Sequence, residues 1–403
     1  MRIRTDTEKN SGKGYVRIKS GMLIDKFRKK KTVILDIEEL SFIPYILPVY
    51  ESLRKKTKSI SYYISTHYPG AVELNVFGIP VSRQFNISMA KDLKETDLFL
   101  SPHIYGKGNK NSIRIHINHN QPVKYHSYKK RDFINFNVHF LTSPLHREQT
   151  ENTIKDYSLE EMDIKLFNIG YSKSDDLLSG KYSREKVLSE LGLDTDKKTI
   201  IYAPSWDKGL SLRSFGESVI EELLKIESVN IIIKLHPISY SSEDGPNYEF
   251  YTGGINWKKH LEKFNSFKNF RNVTEGKSDP LLAASDVMVT DLSSVALEFI
   301  MLDRPVIYID CPEFFEKTLK ETYTGFGKTS SEYVKNDPKA NAGRHTGIVI
   351  EDLSQLNDAV GRALSNPSEF SQKRNELAGL LTYNKGRAAD AASDKILELL
   401  NLK

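Results

Sequence analysis

The 403-residue chain holds a single cysteine, Cys311. One thiol makes no internal disulfide and no thiolate cluster for zinc, so the sequence fits a reducing compartment, and Cys311 reads as a buried core residue. No apolar run reaches the ~18 residues that a membrane-crossing helix requires. The start, Met1-Arg2-Ile3-Arg4-Thr5-Asp6, lacks the apolar stretch of a secretory signal, and a cytoplasmic location is expected. Repeats and low-complexity tracts are missing. Aromatic and basic residues do not interleave and no known nucleic-acid motif occurs, so nucleic acid is not expected as a partner.

What is present suits a soluble enzyme. Hydrophobic residues make up 39% of the chain, enough for folded cores, and 403 residues exceed what one core usually supports. Apolar strand-like runs at 33–37, 60–64, 98–101, 113–117 and 138–141 alternate with helical or loop segments, and the alternation resumes from 199 to 309. The pattern predicts an α/β chain of two domains, 1–180 and 181–370, with a polar linker after Asp175-Asp176-Leu177-Leu178. Residues 368–402 read as helices, and 322–345 as a polar loop whose glycines permit movement.

Charge is uneven. Residues 1–31 hold eleven Lys or Arg against three acids, a local net of +8 in a chain of +5. Arg28-Lys29-Lys30-Lys31, Lys55-Lys56 and Lys129-Lys130-Arg131 suit an anionic membrane surface, each charge there contributing about 1 kcal/mol. A solvated basic arm is the competing reading of 1–31.

Chemistry concentrates where strands end. Ser285-Asp286-Val287-Met288-Val289-Thr290-Asp291-Leu292-Ser293-Ser294-Val295 reads as a strand, a polar turn and a helix start, the arrangement in which free backbone N–H groups and hydroxyls meet an anion. The strand-like 229–233 runs into Lys234-Leu235-His236-Pro237, and 199–203 runs into Pro204-Ser205-Trp206-Asp207. In doubly wound sheets ligands sit beyond the carboxyl ends of strands, so all three strand ends are placed to meet one.

These motifs resemble those of the CDP-glycerol glycerophosphotransferases of teichoic acid and capsule synthesis, two-domain GT-B enzymes. The resemblance rests on His119-Asn120-Gln121-Pro122-Val123-Lys124, Gly170-Tyr171-Ser172-Lys173-Ser174-Asp175, Tyr202-Ala203-Pro204-Ser205-Trp206, Lys234-Leu235-His236-Pro237, and the 285–299 run followed by Arg304-Pro305-Val306-Ile307-Tyr308. It spans 119–310 and is weak before residue 110. It implies two Rossmann-type domains facing a central cleft, with the last helices (371–403) crossing back to the first domain. Asn118-His119-Asn120 stands where the family has Trp-His-Gly, Asp207 where it has arginine, and Leu292 and Glu298 where it has tyrosine and aspartate. These departures bear on which polyol or sugar the donor carries.

The implied reaction moves a polyol phosphate, glycerol phosphate first, from a CDP-activated donor to a hydroxyl of a lipid-linked or polymeric acceptor. His119, after the 113–117 strand, is the expected general base, because an imidazole pKa near 6.5 suits proton abstraction near neutrality. His116 and His126 are alternatives. Lys234, His236, Ser205, Thr290, Ser293 and Ser294 are expected to hold the diphosphate while CMP leaves, with Lys124 adding charge. Asp291 reads as a helix cap or a ribose contact, and Trp206, Asp207 and Arg344 as donor-pocket residues. No tightly bound cofactor is expected, and magnesium would enter with the diphosphate. Rival readings are a sugar-nucleotide glycosyltransferase, an epimerase of related fold, and a non-catalytic nucleotide-binding scaffold for polymer assembly.

Overall fold

The computed structural model describes residues 11–119, 130, 133–319 and 341–402. They form two compact units: the described residues up to Asp175 together with those from Thr382 onward, and Asp176–Leu381.

The first unit is built on seven parallel strands, β1 (Lys31–Asp36), β2 (Ile60–Thr66), β3 (Gln84–Asn86), β4 (Leu98–Ser101), β5 (Ile113–Ile117), β6 (Val138–Leu141) and β7 (Lys165–Asn168), in the order β3-β2-β1-β4-β5-β6-β7. Val33 of β1 pairs with Tyr62 of β2 and Leu98 of β4. Central parallel strands are covered on both faces, so they read as continuous apolar runs. Side chains alternate across the sheet. Val33 and Leu35 pack with Ile46, Val49 and Leu53 of the helix Ile43–Lys56 and with Ala392 and Ile396 of Ala388–Leu399. Ile34, Tyr63 and Phe99 pack on the other side with Ile18 and Met22. Those two residues belong to the helix Ser11–Phe27, so this part of the basic segment is not a solvated arm; its apolar residues at four-residue spacing dock it on the sheet.

Buried histidines make this unit acid-sensitive. His116 and His139 are in register on β5 and β6, with rings 5.4 Å apart, and His146 accepts a hydrogen bond on Nδ1 from the Thr142 amide. Burial lowers His139 and His146 to about 3 and pushes His116 well below the ordinary 6.5. All three are neutral in the fold and titrate near 6.5 when unfolded. For His139 and His146 the contribution is therefore level above pH 6.5 and lost as pH falls toward 3, by about 1.4 kcal/mol per pH unit each, and His116 acts in the same direction. Asp36 runs the other way: burial raises it to about 6, so its contribution is full below 3.8 and lost as pH rises through 6. Three histidines outweigh one carboxyl. The denaturation midpoint should drop between about pH 6.5 and about pH 5 in urea titrations; a level midpoint would show these histidines hydrated.

The second unit repeats the plan with six parallel strands, β8 (Lys198–Tyr202), β9 (Val229–Ile233), β10 (Phe270–Asn272), β11 (Val287–Thr290), β12 (Val306–Ile309) and β13 (Ile348–Ile350), in the order β10-β9-β8-β11-β12-β13. Ile200 lies between Ile231 and Val287. Those strands bury their apolar runs against Val219, Ile220 and Leu223 of Ser218–Leu224 and Leu356 and Val360 of Leu356–Ser365. Cys311 lies in this core. Sequence patterning grouped 371–381 with the terminal helices, but that helix, Ser371–Leu381, stays with the second unit. The buried Arg374 guanidinium anchors it, donating to Asp303 Oδ1 at 2.8 Å and to the Pro367 carbonyl at 2.6 Å.

In each sheet the connections reverse direction beside the first strand, between β1 and β4 and between β8 and β11. A crevice opens beyond the strand ends at such a point. No helix among the described residues is long and apolar enough to cross a membrane.

Candidate functional site

In the first unit, His119 follows β5 and is held by what precedes it in the sheet. Its Nδ1 lies 2.5 Å from the Pro102 carbonyl, and its ring packs on Phe42 at 5.0 Å and edge-on to Tyr45 at 6.1 Å. A carbonyl only accepts, so Nδ1 carries the proton and Nε2 is the basic nitrogen. Burial lowers its pKa, the Pro102 hydrogen bond works against that, and His103 lowers it further; the net shift is downward, which keeps the imidazole neutral near pH 7. His116 is buried against His139 and Phe136 and is a core residue instead.

The Gly170-Tyr171-x-x-x-Asp175 motif supports this corner. The Tyr171 hydroxyl donates to the His119 carbonyl at 3.3 Å. Gly170 has φ +108°, and a Cβ there would run into the Tyr383 carbonyl, so only glycine fits. The Asp175 carboxylate accepts from the Ala388 and Ala389 amides at 3.0 and 2.6 Å, capping the last helix.

In the second unit the β8 and β11 ends are clasped together. The Asp291 carboxylate accepts from the Ser205 amide (2.9 Å), the Ser211 amide (3.0 Å) and hydroxyl (2.6 Å), and the Leu292 amide (2.7 Å). Burial raises its pKa, and the same hydrogen bonds resist the rise. Asp291 is thus neither the helix cap nor a ribose contact that the sequence suggests: its oxygens are spent on the loop after β8. Thr290 is corrected likewise, since its fully buried hydroxyl donates to the Ala203 carbonyl at 2.7 Å, out of reach of any ligand. Ser205 donates to Asp207 at 2.9 Å, so the carboxylate standing where an arginine was expected is tucked into the fold.

Around this clasp, Ser293 and Ser294 are half-buried at the start of the short helix Val295–Ile300; Ser294 has helical φ and ψ and makes no side-chain cap. Lys234 donates to the Glu275 and Gly276 carbonyls at 3.0 and 3.1 Å, and burial lowers its pKa. His236 is exposed, and its Nδ1 accepts from the Ile238 amide at 3.3 Å, which directs Nε2 away from that turn. Trp206 meets Phe250 at 5.7 Å and Tyr251 at 5.4 Å in an aromatic group beside the β8 end. Arg344, read as a mobile-loop residue, is instead paired with Asp310 at 2.6 Å. Lys124 and His126 lie outside the described residues. No cluster of three metal-binding side chains occurs among the described residues. Asp194 and Asp196, an Asp-x-Asp pair, stand in the turn before β8, at the opposite end of the strand from these groups.

Sequence reasoning missed a cleft of 470 Å³ at the β1/β4 reversal, lined among others by Asp36, Glu38, Asn86, Lys91 and Lys107. Ser65 and Ser101 donate to Asp36 at 2.5 and 2.7 Å, and Glu38 pairs with His103. Gly106 leaves the room: a Cβ there would strike Ser101. The signal in the sequence was Asp36 closing an apolar strand.

Residues 137–329 match the family described as CDP-Glycerol:Poly(glycerophosphate) glycerophosphotransferase. The chain is 28% identical over 170 residues to the teichoic acid poly(glycerol phosphate) polymerase of Bacillus spizizenii, covering 40% of this chain and 39% of that protein. It is 25% identical over 252 residues to the teichoic acid glycerol-phosphate primase of the same organism, covering 60% and 55%. The chain therefore spans less than two thirds of the length of these relatives. Among solved structures, the wall teichoic acid polymerase TagF matches with TM-score 0.64 at 16% identity, over 98% of this chain and 96% of that one. A putative UDP-N-acetylglucosamine 2-epimerase from Listeria monocytogenes matches with TM-score 0.58 at 14% identity, over 93% and 98%. At these identities they show the fold, a GT-B-like pair of parallel α/β units. His119 lies upstream of the matched segment. It is over residues 137–329, which carry the strand-end motifs of the second unit, that the chain is similar to the CDP-glycerol:poly(glycerophosphate) glycerophosphotransferase family.

Proposed function

We propose that the chain transfers a polyol phosphate, glycerol phosphate first, from a CDP-activated donor to a hydroxyl of a surface polymer or its lipid-linked precursor. The observation that carries this reading is His119, a neutral imidazole whose tautomer the Pro102 carbonyl selects. The acceptor oxygen attacks the phosphorus that bears the polyol, the bond from that phosphorus to the bridging oxygen breaks, and CMP leaves with the electron pair. The hydroxyl proton passes to His119 Nε2. Phosphoryl transfer asks mainly for positioning and charge stabilisation. In this reading Lys234, His236, Ser293 and Ser294 hold the diphosphate, Trp206 borders the cytidine, and magnesium enters with the donor. The Asp36 cleft takes the acceptor polyol, its carboxylates accepting hydroxyls while Lys91 and Lys107 pair with a phosphate.

The family match and the printed activities of the relatives support this reading, and a TagF variant was solved after a soak with CDPG. Calorimetric titration of the purified protein with CDP-glycerol, CDP-ribitol, CMP, UDP-GlcNAc and UDP tests it. Tighter binding of the cytidine compounds is expected. Preference for the uridine compounds would overturn the reading in favour of a sugar transferase or an epimerase.

A further inference from the structure

The base corner and the cleft at the β1/β4 reversal share one short turn, Ser101-Pro102-His103, at the end of β4. The Pro102–His103 peptide is a plane, so its carbonyl and its N–H point in opposite directions. The proline ring fixes φ, which leaves ψ of Pro102 to decide where that plane faces. The fully buried Ser101 decides it: its Oγ accepts from the His103 amide at 3.1 Å, and the carbonyl on the other edge of the plane then receives the hydrogen bond from His119 Nδ1. Ser101 is itself held from β1. Its hydroxyl has one proton and two acceptors in reach, Asp36 Oδ2 at 2.7 Å and the His103 carbonyl at 3.1 Å, and the shorter contact, to a carboxylate, is the stronger. Asp36 is 2% exposed and takes a second hydrogen bond from Ser65 at 2.5 Å, which fixes its other oxygen. On the same turn, Glu38 pairs with His103, whose ring lies 5.7 Å from Phe42, the ring that also packs on His119.

We infer that Ser101 is a positioning residue for the base: anchored on Asp36, it aims the Pro102 carbonyl at His119 Nδ1 and so leaves Nε2 as the proton acceptor. With that carbonyl turned away, the imidazole can carry its proton on Nε2 and has no acceptor on the side where the hydroxyl proton is proposed to go. Asp36 also lines the cleft, so the wall of the cleft and the tautomer of His119 are joined through two hydrogen-bonded side chains and one peptide plane. The catalytic consequence rests on the reading of His119 as the base; the tautomer itself does not.

Nitrogen NMR spectra of the full chain labelled at histidine, with the His119 signal assigned by its loss in His119→Ala, read the tautomer without turnover. The wild-type chain should show the proton on Nδ1. Ser101→Ala removes the anchor, and Gly106→Ala displaces it, since a Cβ at Gly106 would stand 2.5 Å from Ser101 Oγ and 3.0 Å from Asp36 Oδ2. Both variants should move a large share of the His119 population to the Nε2 proton. In transfer assays kcat should fall on the order of 10²-fold in each, with KM for CDP-glycerol near the wild-type value. The same substitutions made in His119→Ala should cost nothing further, because a residue that acts through His119 then has nothing left to position. Wild-type tautomer in both folded variants, or losses that add to that of His119→Ala, would overturn the inference. Should Ser101→Ala fail to fold, Gly106→Ala carries the test alone, since it removes no hydrogen-bonding group. A preference for uridine compounds in calorimetry would overturn the proposed donor and leave the tautomer as the measure of this inference, so the two fail separately.

Discussion

Replacing His119 with alanine is expected to lower kcat for transfer by about 10³-fold while CDP-glycerol binding stays near normal. The loss is large because the acceptor hydroxyl is a poor nucleophile until its proton has somewhere to go, and the imidazole is already neutral and in the required tautomer. The pH profile adds an independent readout. Burial holds the His119 pKa below the ordinary 6.5, so the acid limb of kcat/KM should lie below that value and vanish in the alanine variant. His236→Ala should behave differently, weakening donor binding along with turnover, since His236 stands exposed at the end of β9 in the unit proposed to hold the donor. Equal loss of binding in both variants would defeat this division of labour.

Asp291→Ala carries the second large effect, on stability first. The carboxylate gathers three backbone amides and one hydroxyl from two loops, and truncation leaves those amides buried without an acceptor. Each stranded donor costs about 1–3 kcal/mol, so the variant should lose a large part of the second unit's stability. Asp291→Asn keeps one acceptor oxygen but turns an NH2 group toward donors, and should fall between. Urea denaturation and CMP titration together decide the role. Lower stability with weakened binding is the expected pair; wild-type stability with binding abolished would return Asp291 to the ligand.

The central strands were legible and the edges were not. β4, β5 and β6 fall where the apolar runs place them, because strands covered on both faces leave uninterrupted hydrophobic stretches. β3, β7 and β10, which lack such a run, and the three-residue β13 all sit at sheet edges, where three or four residues pair on one side only. The strand-end motifs likewise located the loops at the strand ends of the second unit in the chain but not the work of each residue. A polar side chain at a strand end reads the same from sequence whether it faces a ligand, as proposed for His236, or closes the sheet, as Thr290 does. The Asp36 cleft was hard to find for another reason: apart from Asp36 closing its apolar strand, its lining is gathered from segments far apart in the chain, so little local pattern marks it.

The cap that Asp175 places on Ala388–Leu399 also bears on how the molecule is made. Ala392 and Ile396 of that helix fill the core of the first unit, yet the ribosome delivers them only after all of the second unit. The usual order of synthesis, amino-terminal domain complete first, is inverted here. The second unit can close as soon as Leu381 emerges, while the first waits with the apolar side of Ile43–Lys56 uncovered until Ala388–Leu399 has been translated.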